Sequence, residues 1–83
     1  MEKYNDLDRA ILMWCKENLP NGRRTNTEVE INDFAKTIIL SRIENLVSKG
    51  YINIGKERIK ELGTKSVYYL EGLTEKGKEY LED

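Results

Sequence analysis

The stretch Thr37-Ile-Ile-Leu-Ser-Arg-Ile-Glu-Asn-Leu-Val-Ser-Lys-Gly-Tyr-Ile52 constrains the chain most. Its apolar residues Ile39, Ile43, Leu46 and Val47 recur at three- and four-residue steps, the period of one helix face. Lys49 stands in the last turn and Gly50 just beyond it, a cation and a flexible residue that both favour a helix end. Tyr51-Ile52-Asn53-Ile54 then alternates with period two, so a strand leaves directly from the helix.

The first helix begins near Asn5 or Asp6, either of which can cap it, with Asp8 in a first turn where the dipole favours a carboxylate. Leu7, Ala10, Ile11 and Trp14 form one stripe, and Leu12, Met13 and Cys15 carry the apolar surface well beyond it. Such a helix must bury a second face, either under the C-terminal helix or against another subunit. Pro20-Asn21-Gly22 ends it. Arg23 and Arg24 come next in a polar loop. Glu28-Val29-Glu30-Ile31 alternates and reads as a short strand, with Val29 and Ile31 β-branched and Asn32 a good cap for a helix after it. The rival reading takes Thr27-x-x-Glu30 as a capping box that starts a helix.

Beyond the central helix, Gly55-Lys-Glu-Arg-Ile-Lys-Glu-Leu-Gly-Thr-Lys-Ser66 joins two alternating segments, a β-hairpin with Gly63-Thr64 near its tip. Leu73-Thr-Glu-Lys-Gly-Lys-Glu-Tyr-Leu81 has a threonine cap, an acid in its first turn and a face of Leu73, Gly77, Tyr80 and Leu81, predicting a helix over about 74–82.

The helix stopping at Lys49-Gly50 and running into a strand resembles the recognition helix and first wing strand of winged helix-turn-helix regulators. The closing Leu-Thr-Glu-Lys-Gly run resembles the last helix of the antibiotic-resistance-regulator and PadR-like groups. The resemblance covers most of the chain and implies one α+β domain over 1–83, in the order α-β-α-α-β-β-α, with a recognition helix at 37–49 and a wing at 55–66. Asn32-Asp33-Phe34-Ala35-Lys36 resembles the start of the second helix, with an apolar-Ala pair on the core. The chain departs from the family in having no turn between Ala35 and the recognition helix. Either the second helix is very short and Thr37 caps the third, or the two fuse into one helix from Asn32 to Lys49.

Charge fits a polyanion only locally. The net charge is -1, but residues 20–66 hold nine basic and six acidic side chains, a surplus of three between two acidic ends. With Ile39, Ile43, Leu46 and Val47 on the core, Ile38, Ser41, Arg42, Asn45 and Lys49 are expected to face outward. Arg42 can fork onto guanine, Asn45 onto adenine, Ile38 can touch a thymine methyl and Ser41 a phosphate. Lys56, Arg58, Lys60 and Lys65 would neutralise phosphates from the hairpin, with Arg23 and Arg24 as a further clamp. The expected partners are double-stranded DNA and a second copy of the chain, meeting through Leu12, Met13, Cys15, Tyr80 and Leu81.

Other classes find little purchase. With no histidine, no phosphate loop and no nucleophile beside a base, no catalytic centre is expected. One cysteine and no histidine leave no Cys/His zinc site and no internal disulfide. No cofactor or small-molecule ligand is expected. The N-terminus is unlike a signal peptide and no run suits a bilayer, so the expected location is cytoplasmic. Two rivals to a transcriptional regulator are a winged helix that binds protein inside a larger complex, suggested by the near-neutral charge, and a replication or partition DNA binder.

Overall fold

The computed structural model describes the backbone of residues 5–62 and 65–82 and the side chains of 6–55 and 67–82. It is an α+β arrangement of helices α1 (Asn5–Asn18), α2 (Lys36–Ser48) and α3 (Glu75–Glu82), with strands β1 (Arg24–Thr25), β2 (Ile52–Leu62) and β3 (Lys65–Leu73). The three strands form one antiparallel sheet in the order β1-β3-β2. No helix among the described residues is long and apolar enough to cross a membrane.

The central corner forms as its sequence requires. Gly50 adopts φ 84°, the left-handed conformation that costs glycine nothing. The Tyr51 amide then donates to the Leu46 carbonyl and the Gly50 amide to that of Val47, both at 3.0 Å, closing α2 with a Schellman turn. β2 starts at the next residue, Ile52, which is buried. Its pairing with β3 runs from Ile52↔Leu73 to Leu62↔Lys65, with register shifts between Asn53 and Lys60. Most of the stretch expected as a wing loop is therefore strand, and the expected tip at Gly63-Thr64 lies outside the described residues.

The strand expected at Glu28–Ile31 does not form. The chain pairs earlier, Arg24 opposite Leu70 and Thr25 opposite Tyr69, and then turns away in a 3-10 turn over Asn26–Glu28. Two side chains cause this. The buried Asn26 accepts the Tyr68 amide on its side-chain oxygen at 3.2 Å, taking the place of the next rung of the ladder. Glu28 reaches back to the Thr25 amide at 2.7 Å, so a capping box does form, but at Thr25–Glu28, two residues before the one the rival reading named.

The second helix is also absent, in either expected form. Residues 32–34 make a turn and a bend in which Asp33 takes φ 74°, a left-handed conformation that aspartate tolerates but a helix interior does not. Phe34 packs on the core, whereas Ala35 is exposed, and α2 begins at Lys36 without a side-chain cap. The ammonium of Lys36 donates to the carbonyls of Val29 at 2.6 Å and Thr27 at 2.9 Å, hanging the irregular segment on α2.

The core joins Leu7, Ile11, Leu12 and Cys15 of α1 to Val29, to Ile39, Ile43 and Leu46 of α2, and to Ile52, Tyr68 and Leu70 of the sheet. Of the surplus apolar residues of α1, Leu12 and Cys15 are covered within the chain and Met13 is exposed; α3 packs beside the helix. Arg9 donates to the carbonyls of Leu81 at 2.9 Å and Tyr80 at 3.4 Å, a cation at the C-terminal end of α3. The other end of α3 is tied to the corner after α2. Thr74 caps the Gly77 amide at 3.0 Å and donates its hydroxyl to the Gly50 carbonyl, and Lys76 donates to that of Lys49 at 3.1 Å.

Candidate nucleic-acid interface

The residues nominated on α2 do not share one outward face. Arg42 is turned inward, its side chain only 18% exposed, and grips Asp8 of α1 through Nε at 2.9 Å and a terminal nitrogen at 2.7 Å. The same terminal nitrogen reaches the Asn45 side-chain oxygen at 3.3 Å. Arg42 thus joins α2 to α1 with Asn45 bonded to it on α2, and Ile38 packs against the core. Only Ser41 and Lys49 of the five expected residues are exposed.

Helical arithmetic accounts for the difference. Centred on the fully buried Ile39, Ile43 and Leu46, a rotation of about 100° per residue puts Ile38, Arg42, Asn45 and Lys49 roughly a quarter-turn from the core. Counting the half-buried Val47 as a full core residue tilts that axis. The opposite face is Thr37, Ser41, Glu44 and Ser48, all exposed. The expected set missed Thr37, Glu44 and Ser48, although the spacing of the three buried residues marks them.

This face is polar, with three hydroxyls and one carboxylate. Glu44 reaches the neighbourhood of Tyr68 on β3. Burial, and then the Glu44 charge, push the Tyr68 phenol above its ordinary pKa, while a bond to Asn26 opposes them.

Arg23 is exposed and Arg24, in β1, is partly exposed; both are already paired. Arg23 lies over the Tyr69 ring, 4.2 Å from its centre, and 3.5 Å from the Glu71 carboxylate. Arg24 is 3.8 Å from Glu28. Such exposed pairs are worth at most about 1 kcal/mol, so a phosphate can replace either acid at little cost. The side chains of Lys56, Arg58, Lys60 and Lys65 lie outside the described ones; their backbone belongs to the hairpin after α2.

Of the expected dimer contacts, Leu12 and Cys15 are core residues, and burial pushes the Cys15 thiol up to about 12. Tyr80 and Leu81 are half-buried, packed on the core, and Met13 alone is exposed. Beside them, a half-open groove of about 480 Å³ runs between α1, β3 and α3. Cys15, Leu19, Leu73 and Leu81 line it with Lys16, Lys78, Glu71 and Glu82. Among the described residues no cluster of acidic or cysteine side chains could hold a metal. Comparison with protein-family models, with curated proteins and with solved structures gives no match to the chain.

Proposed function

We propose that the chain is a winged-helix DNA-binding domain acting in transcription regulation as a homodimer, with α2 in the major groove and the β2–β3 hairpin on the backbone. One observation carries this reading. α2 passes through the Lys49-Gly50 turn straight into a long hairpin, and the helix face turned from the core carries only polar side chains, three hydroxyls and one carboxylate, for three turns. A helix of that profile can approach base edges closely, and the hairpin that follows it carries Lys56, Arg58, Lys60 and Lys65 in its sequence. The contact between the two copies centres on Met13 and the groove edge, since Leu12 and Cys15 are internal.

A gel-shift titration on random and selected duplexes at two salt concentrations tests the reading. Affinity should fall steeply with salt, and alanine at the four hairpin cations should shallow the slope by about 0.9 for each phosphate no longer neutralised. No shift of any duplex at low salt would overturn it. A protein-binding winged helix is the second reading, favoured by the internal pairing of Arg42 and Asn45. Light scattering tests the dimer: a mass near 9.7 kDa would refute it.

A further inference from the structure

Resting on the DNA-binding reading above, we propose that Glu44 selects the base at this interface, that the base is cytosine, and that Arg42 and Asn45 take no part in selection. Reaching a base would cost Arg42 both hydrogen bonds to Asp8 and leave that carboxylate, 5% exposed, unpaired in the core. The helix face turned from the core and exposed is Thr37, Ser41, Glu44 and Ser48. Hydroxyls donate and accept, so the serines and threonine tolerate several base edges. A carboxylate only accepts.

In the major groove, guanine presents two acceptors, thymine an acceptor beside a methyl, and adenine an acceptor beside its amino donor. Cytosine presents its amino donor alone, so it is the base edge that a carboxylate can bond without facing an acceptor lone pair. The same carboxylate is repelled by phosphates wherever no amino group meets it. Glu44 therefore lowers affinity for DNA in general and restores it at one base. That combination separates it from a solvated surface acid, which would leave base preference alone.

The experiment is selection from a randomised duplex pool with the native chain, Glu44→Ala and Glu44→Gln, followed by titration on the enriched and random duplexes. Glu44 is exposed, so both variants should keep the native melting temperature, which is measured alongside. The native chain should enrich cytosine at one fixed position. Glu44→Ala should lose that preference by roughly five- to hundredfold while binding random duplex as tightly or more tightly. Glu44→Gln should move the preference toward adenine, which pairs with an amide. If Glu44→Ala keeps the cytosine, or the native chain binds duplex without enriching any base, the inference falls and DNA binding stands. If the native chain binds no duplex, the functional reading falls with it.

Discussion

Asp8 and Arg42 lie 34 positions apart in sequence and meet through two hydrogen bonds of 2.9 and 2.7 Å at the crossing of α1 and α2. With the carboxylate almost fully covered, removing either partner leaves a charge with little water to replace it. Asp8→Ala and Arg42→Ala should each lower stability by about 3 kcal/mol in urea unfolding. The double variant should cost less than the two together, because it removes both charges. Additive costs would show the pair to be uncoupled.

Gly77 faces the carbonyl of Tyr51 so closely that an added Cβ would sit well inside contact distance of its oxygen. In an open helix, alanine would gain up to about 1 kcal/mol over glycine. Here the backbone contact decides the sign. Gly77→Ala should destabilise by roughly 1–3 kcal/mol, seen as a melting temperature lower by at least several degrees. An unchanged or raised value would mean that α3 can step away from the corner.

The Cys15 thiol, pushed up to about 12 by burial, is neutral in the folded protein across the ordinary pH range. A thiol-specific disulfide reagent at pH 8 should label native protein only as fast as the fold opens, and at once in denaturant. Rapid labelling without denaturant would contradict the packing described for α1.

Glu28 has its pKa lowered chiefly by the Thr25 amide; desolvation opposes this, and the Thr25 hydroxyl and Arg24 add smaller lowering effects. Its folded value lies below its unfolded one, which is about 4.3. The stabilisation is therefore present above that pH and is lost as pH falls through the folded value. Glu28→Gln should flatten the acid limb of a plot of melting temperature against pH while leaving its slope near neutrality alone. An acid limb parallel to the native one would show the capping box to be unimportant.

What the sequence discloses here depends on whether a signal has one solution. Lys49-Gly50 ends a helix in one way, and Thr74 with Gly77 three residues later caps one in one way, so α2, β2 and α3 are legible. Thr25-x-x-Glu28 and Thr27-x-x-Glu30 satisfy the same capping rule. The choice between them is made by Asn26 reaching Tyr68, a contact across 42 positions. The missing second helix results from Asp33 taking a left-handed conformation, which local propensity alone does not announce. The outward face of α2 is legible from Ile39, Ile43 and Leu46. The capture of Arg42 by Asp8 is not, because nothing local links the two.

The bonds from Arg9 to the carbonyls of Tyr80 and Leu81 join segments 71 and 72 positions apart. Among the described elements α1 is synthesised first, yet the helix that covers its outer flank is made last. An eight-residue helix such as α3 does not persist alone in water, so it forms by docking on surfaces already in place. During translation, the apolar flank of α1 stays without its cover until residue 81 has emerged. Removing residues 80–82 would therefore uncover a helix more than 60 positions away, and damage at one end of this domain would be felt first at the other.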